Sequence, residues 1–346
     1  MRGLNWFDKF LFFLNILFAI FLLFSYLLPY IPPSTFALLS VFSLGVPFLI
    51  TINVIFLLFW LFRLRIQALL SLIALLIGFN HVTSVYEISS GDEEVQGDNI
   101  LKVLTYNVRQ FNQYGWAEDG DIPEKLSAFI KEQDADVVAM QEYYNGELNI
   151  ARSFPHKYIK LKEKNAEFGL AIFSKYPIIK SGSLDFPTHS NNNAIYADIF
   201  KAGDTIRVVN VHFQSFGIKP NLEKIEKQHT KQVFLGMGQT FVRQERQMNL
   251  VRDLLRDTKH RAIVLGDFNN TAYSYIYREL RAQGLNDAYK EAGNGFGKTF
   301  ELNGILPLRI DFILPDESME ILTFANHEVP YSDHFPITAS LRLGKY

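Results

Sequence analysis

The beginning of this chain constrains it most. Residues 1–86 carry only five charged side chains, Arg2, Asp8, Lys9, Arg63 and Arg65. Phe10 to Ile31 is charge-free over 22 residues, enough for a helix to cross the hydrocarbon core of a bilayer. Ser34 to Phe62 is a second charge-free run. Pro29, Pro32 and Pro33 between them predict a short turn, because proline stops a helix. Ile66 to Tyr86 is a third and weaker run. Its strongly apolar part, Ala68 to Phe79, has only 12 residues, a length that also suits an interfacial or buried helix. A cleaved signal peptide would explain the basic start, but not the long apolar run, the missing A-x-A site or the second run that follows at once. The expectation is a transmembrane anchor over residues 1–86, with spans near 10–31, 34–62 and 66–86. No acidic residue inside a run marks a transport path, so the anchor is expected only to hold the chain at the membrane.

The basic residues orient the anchor. Arg2 and Lys9 precede the first run, Arg63 and Arg65 separate the second and third, and the first connection has no charge. If all three runs span, the basic-loop rule puts both clusters in the cytoplasm and the rest of the chain outside it. If the third run does not span, the rest of the chain stays cytoplasmic. The integral-membrane, extracytoplasmic arrangement is the expectation.

Beyond the anchor the character changes. The chain is formally −2 overall; removing the +3 of residues 1–86 leaves −5 on the remaining 260 residues, enough chain for one large α/β unit. Glu87 to Asp98 is polar and acidic, a linker, and residues 99–346 form the soluble domain. There is no cysteine, so disulfides and thiolate metal ligands are excluded. Strand patterns occur at 99–107, 137–140, 168–173, 194–200, 205–213, 262–265, 310–314 and 337–343. Pro123 opens a helix, since proline suits a first turn. Lys201-Ala202-Gly203-Asp204 predicts a hairpin turn, and 220–257 reads as mostly helical. This order predicts a mixed sheet sandwich with outer helices.

Chemistry gathers at strand ends. A carboxylate ending a buried strand is costly unless it is paired or faces a cation, and this occurs at Glu142, Asp267 and Asp311. Asp333 adds a fourth carboxylate and Asn107 an amide. Such oxygen-rich sets suit Mg²⁺ or Mn²⁺. His212 and His334 stand at comparable boundaries, where histidine can donate to a phosphate or exchange a proton. There is no G-x-S-x-G elbow, H-E-x-x-H helix or Walker-type loop. Metal-assisted attack of water on a phosphate ester is the chemistry these residues suit. Singly, each has a plainer reading: a turn for Asn107, a helix cap for Asp267-Phe268-Asn269, a surface charge for Arg309.

Together, LTYNV at 104–108, MQE at 140–142, FGLAIFSKYPI at 168–178, VVNVHF at 208–213, VLGDFN at 264–269, RIDFIL at 309–314 and SDHFPI at 332–337 resemble the endonuclease/exonuclease/phosphatase superfamily. Deoxyribonucleases, abasic-site endonucleases, neutral sphingomyelinases and inositol polyphosphate phosphatases belong to it. The resemblance implies a four-layered α/β sandwich with two mixed sheets. It implies that Glu142 holds a metal beside Asn107, with Asp333 on the metal side. Asp267 would position or activate water, Asn269 and His334 would bind the phosphate, Asp311 would orient His334, and His212 would serve the leaving oxygen. Asn107 counts among both the metal-side and the substrate-binding residues. Two departures stand out. Arg109 occupies a position where abasic-site endonucleases are acidic, and Asn191-Asn192-Asn193 lies where nucleases often carry arginine.

Residues 214–243 form a long insertion. Its Leu222, Ile225, Val233, Phe234 and Met237 suit either a peripheral packed helix or a lid or membrane-facing element. The expected activity is Mg²⁺-dependent phosphoester hydrolysis, acting on a phospholipid headgroup or on nucleic acid, with no obligate protein partner. The alternatives are a binding module that keeps the fold without catalysis, and a regulatory domain of a membrane protein.

Overall fold

The computed structural model describes residues 4–88, 97, 99–115, 120–145, 153–162, 167–187, 192–216, 227–302 and 306–344. Most of the expected linker, and Leu222 and Ile225 of the insertion, lie outside them. The chain divides into two compact units. One comprises residues 1–86, 225–245 and 271–278; the other comprises 87–224, 246–270 and 279–346.

The first unit is built on apolar helices α1 (Trp6–Ser25), α2 (Val46–Phe62) and α3 (Ala68–Ile77). Asp8 near the start of α1 pairs with Arg63 just past the end of α2 at 2.7 Å, so these helices run antiparallel. Tyr26, just past α1, donates through its hydroxyl to the Ala74 carbonyl of α3 at 3.0 Å, so α3 returns in the direction of α1. Polar side chains between the helices satisfy one another. Asn15 Nδ2 donates to Ser71 Oγ at 2.7 Å, Trp60 Nε1 donates to Asn15 Oδ1 at 3.1 Å, and Ser71 Oγ donates to Asn53 Oδ1 at 3.3 Å. All four residues are buried, and such bonds hold apolar helices together. Gly78 ends α3 where any Cβ would fall 1.9 Å from the Tyr26 ring.

Two stretches, Trp6–Tyr30 (25 residues) and Ala37–Phe62 (26 residues), are long and apolar enough to cross a membrane. Helix α3, with 10 residues, is too short by the same measure. Among the described residues the candidate spans are therefore two rather than the three expected, and the third apolar run is interrupted at Gly78.

The second unit holds two mixed sheets. The six-stranded sheet uses β1 (Ile100–Asn107), β2 (Val137–Tyr144), β3 (His156–Leu161), β4 (Phe168–Ser174), β10 (Glu320–Asn326) and β11 (Ile337–Arg342), in the order β10-β11-β1-β2-β4-β3. The five-stranded sheet uses β5 (Ile178–Ser183), β6 (Asn193–Lys201), β7 (Asp204–His212), β8 (Arg261–Asp267) and β9 (Asp311–Pro315), in the order β9-β8-β7-β6-β5. Each sheet contains one parallel pair, β1 with β2 and β7 with β8. A helix crosses over in each case, α4 (Ile122–Gln133) in the first and α5 (Lys227–Arg256) in the second, as parallel pairing requires.

Leu101, Val103, Ala139 and Ile172 of one sheet pack with Ile195, Val208, Ile263 and Ile313 of the other in one buried cluster. Leu126, Phe129 and Ile130 of α4 cover the other face of the six-stranded sheet through Leu104, Val138 and Met140. The hairpin from β6 to β7 turns on Ala202 and Gly203, both at positive φ (53° and 86°), the geometry that matches strand twist.

Candidate active site

Strand directions alone bring the polar strand ends together. Asn107 and Gln141 are paired neighbours at the carboxyl ends of β1 and β2. His212 and Asp267 are likewise paired at the ends of β7 and β8. Strand β9 is antiparallel to β8 and begins with Asp311 opposite Asp267. Strand β11 is antiparallel to β1, with Ile337 opposite Thr105, so His334 arrives beside Asn107. Ligands in α/β sheets are bound at such carboxyl ends.

Asp267 is the hub. One of its oxygens, Oδ2, accepts from Asn107 Nδ2 at 3.0 Å and Asn269 Nδ2 at 3.1 Å; the other accepts from the Asn269 backbone N–H at 2.7 Å. The same Oδ2 lies 3.6 Å from His212 Nε2 and 3.7 Å from His334 Nε2. His334 Nδ1 is 2.9 Å from Asp311 Oδ2, and one ligand atom from each of Asp267, Asp311 and His334 lies within 4.8 Å of the others. All three residues are buried. Gly266 makes this possible: at φ +129° its place would set a Cβ 2.1 Å from the Val211 carbonyl oxygen.

Burial opposes charge throughout the cluster, and the neighbours decide the outcome. Burial pulls His334 down, but Asp311 and Asp267 overcome it and hold the imidazolium up to about 10. Burial raises the Asp267 carboxyl to about 6, although His334 pulls the other way. Burial lowers His212, only partly offset by Asp267, so its imidazole tends to neutrality and suits hydrogen bonding better than proton donation. An acid and a base are thereby set apart by environment.

Glu142 and Asp333 stand at the rim of this cluster. Glu142 is partly buried, accepts from Gln110 Nε2 at 3.0 Å, and is raised above the usual carboxylate value by burial. Asp333 pairs with Arg109 at 3.2 Å. Its neighbour Ser332 donates to the Asn107 carbonyl at 2.8 Å. Backbone strain concentrates here. Arg109, Gln110, Phe111 and Asn112 are four successive residues at positive φ, and Glu142 and Asn269 share that conformation. Each such residue costs on the order of 1–3 kcal/mol, and clustering of this kind is typical of functional sites.

Of the residues singled out in the sequence, two act as supports behind the site. Asn192 donates to the Phe213 carbonyl at 2.7 Å, which also accepts from Asn269 at 3.0 Å, so it braces the Asp267 loop from behind. Asn191 lies outside the described residues. Arg309 is not a surface charge. It is buried, 2.7 Å from Asp287, and its guanidinium lies over the Tyr289 and Phe312 rings, so it supports the strand that carries Asp311.

Three supporting residues escaped the sequence reading. Asn210 accepts from Gln141 Nε2 at 2.7 Å and donates to the Met140 and Ala171 carbonyls, locking the two sheets together beneath the site. Thr299 Oγ1 accepts from the backbone N–H groups of Ile310 and Asp311, each at 3.0 Å. Gln110 is the third. Only Asn210 leaves a trace in the sequence, a lone amide within the apolar strand VVNVH.

Two mixed sheets that converge on a buried carboxylate–histidine cluster define the class of α/β protein. The sequence model of the endonuclease/exonuclease/phosphatase family matches residues 104–334, the greater part of the chain, and the chain belongs to that family. Its members are in general hydrolases of phosphoesters. Residues 8–85 match a second model, described as a domain of unknown function. No curated protein matches the chain. Among solved structures, an endonuclease/exonuclease/phosphatase from Bacteroides vulgatus is 21% identical, over 70% of this chain and 98% of that one, with a TM-score of 0.54. One from Beutenbergia cavernae is 15% identical, over 71% and 72%, with a TM-score of 0.54. Humanized D. rerio TDP2 is 15% identical, over 70% and 99%, with a TM-score of 0.52. At these identities the likeness is one of fold.

Proposed function

We propose that this chain is a membrane-anchored, divalent-metal-dependent hydrolase of phosphate esters. The observation that carries the reading is the Asp267–His334–Asp311 cluster. It sets a carboxyl near 6 beside an imidazolium that persists to about 10. Asp267 is suited to take a proton from an attacking water, because a base works best near the operating pH. The His334 imidazolium and the Asn269 amide supply donors for a phosphate oxygen as charge builds on it. Asp311 keeps the ring oriented and charged. The bond from water to phosphorus forms as the bond to the leaving oxygen breaks.

The residues fit a metal ion. Glu142 is a partly buried carboxylate whose hydrogen-bond partner Gln110 is uncharged, a situation that a cation relieves. Glu142 and Asp333, with Asn107 beside them, would hold it, and their all-oxygen chemistry suits Mg²⁺ or Mn²⁺. When bound, the ion supplies Lewis-acid polarisation of the phosphate.

The anchor reading rests on the two long apolar stretches. Asp8 and Arg63 mark one end of the helices, and the Tyr26–Ala74 bond marks the other. Lys9, Arg63 and Arg65 lie toward the first end, and α3, although too short to count as a span by itself, returns the chain toward the second. By the basic-loop rule this favours an extracytoplasmic domain.

A phosphoester at the bilayer surface suits a tethered enzyme, because tethering raises effective concentration. The −5 charge of the soluble part works against nucleic acid, whose binding draws on cationic surfaces. A panel of plasmid DNA, RNA, phospholipids and soluble esters, assayed with Mg²⁺ and with chelator, tests this. Hydrolysis of phospholipid or soluble ester only with Mg²⁺ is expected. Activity on nucleic acid alone would reassign the substrate, and chelator-insensitive activity would remove the metal.

A further inference from the structure

The first half of α5 belongs to the unit that contains the apolar helices, and its contacts show which part of that unit it grips. Phe234 meets Phe42 edge-on at 5.9 Å. At Gly238 a Cβ would lie 3.3 Å from both Ala37 Cβ and Leu38 Cδ2, so the helix backbone rides directly on the chain there. Glu245 accepts from the Ser34 backbone N–H at 2.6 Å and from the Ser34 hydroxyl at 2.8 Å. In the same unit, Arg278 lies over the Tyr30 ring at 4.3 Å. Of the partners, Ser34 lies in the connection between the two candidate spans, Tyr30 ends the first span, and Ala37, Leu38 and Phe42 lie in the opening turns of the second.

Phe234, Gly238 and Glu245 make these contacts, and the buried Phe241 falls on the same face at helical spacing. Val233 and Leu235 flank that face and remain 40% and 43% exposed, beside Phe36 at 58% and Phe42 at 57%. Apolar side chains from two distant parts of the sequence thus collect at one level of the unit. A connection between two membrane spans lies at the bilayer surface, and anything seated on it lies there too. Exposed Lys231 and Arg243 provide the cationic edge that interfacial helices present to headgroups.

We propose that the first half of α5 is an interfacial helix, with Val233 and Leu235 seated in the headgroup–acyl boundary of the same bilayer that holds the anchor. The occupant of the apolar patch is lipid. The inference rests on the anchor reading given above and adds a second, non-spanning membrane contact made by an insertion in the hydrolase half of the sequence. The chain between this helix and His212 is short, so the membrane contact and the candidate site are close neighbours in sequence.

The absence of cysteine makes the test direct. Single variants Val233→Cys, Leu235→Cys, Ile55→Cys and Lys180→Cys are made in the full chain. Each is labelled with an environment-sensitive fluorophore and reconstituted in phosphatidylcholine–phosphatidylglycerol vesicles carrying nitroxide lipids. Ile55 is an exposed position on a candidate span, and Lys180 is an exposed position on an edge strand. The expected result is blue-shifted, nitroxide-quenched emission at 233, 235 and 55, with shallow nitroxides most effective at 233 and 235, and no quenching at 180. Quenching at 55 with water-like emission at 233 and 235 overturns the interfacial helix and leaves the anchor standing. Water-like emission at 55 as well overturns both. A Val233→Asp/Leu235→Asp double variant gives a check without labels: retention on vesicles after alkaline wash persists, while protection of 227–245 from protease by vesicles is lost. Unchanged protection contradicts the proposal.

Discussion

Asp311→Asn tests the electrostatic logic of the site with almost no change in shape. The parent carboxylate meets His334 Nδ1 at 2.9 Å, and an asparagine oxygen can accept the same bond. Only the charge is lost. With charge centres about 4 Å apart and an effective dielectric of about 20, the pair contributes about 4 kcal/mol. At 1.36 kcal/mol per pH unit, this loss brings the imidazolium from about 10 in the parent to about 7 in the variant. Near pH 6 the variant keeps most of its imidazolium and loses about 10-fold in rate, the cost of a weakened charge-assisted bond. Near pH 9 it has lost the cation that faces the phosphate, and the deficit grows to about 10³-fold. The assay is the pH–rate profile of bis-p-nitrophenyl phosphate hydrolysis for both proteins at saturating Mg²⁺. A constant ratio of parent to variant rates from pH 6 to 9 would refute the argument, because it would mean that Asp311 does not set the charge of His334.

His327 provides a pH-dependent stability prediction away from the site. It bonds Thr338 at 2.9 Å and packs edge-on against Phe129, and burial lowers it to about 4. The unfolded chain takes up a proton below about 6.5, whereas the folded chain resists until about 4, so this contribution is full above pH 6.5 and falls as pH drops toward 4. His327→Gln, which keeps a partner for Thr338, should flatten the acid fall of the thermal midpoint; equal slopes in both proteins would contradict it. For topology, a reporter fused after Tyr346 should read as extracytoplasmic, and a cytoplasmic readout would overturn the orientation.

The legibility of the fold follows burial. Central strands such as Val137–Tyr144 and Arg261–Asp267 are buried almost throughout and read as apolar runs. Within the two large sheets, the described strands that escaped are His156–Leu161, Ile178–Ser183 and Glu320–Asn326, and all three are sheet edges. Half-exposed edges carry Lys, Ser and Thr and lose the pattern. At the site, carboxylates and histidines at strand ends were visible because polar groups interrupt apolar runs there. Gln110 was invisible because its reach to Glu142 depends on four successive left-handed residues, which no local pattern announces. Thr299 acts through backbone N–H groups of residues 11 and 12 positions away. The plainer reading of Arg309 as a surface charge fails because its partner Asp287 and the Tyr289 ring, both remote in sequence, bury it. The third apolar helix is shorter than its sequence run for a local reason: Gly78 meets Tyr26 and ends it.

The central claim is that Asp267 and His334 act on a phosphate ester with the help of a divalent metal. The most direct measurement is hydrolysis of bis-p-nitrophenyl phosphate by the full chain in detergent, with Mg²⁺ and with chelator, for the parent, Asp267→Ala and His334→Ala. The account predicts Mg²⁺-dependent turnover in the parent and a loss of at least about 10²-fold in each variant. Equal rates in all three proteins, or parent turnover that survives chelation, would contradict it.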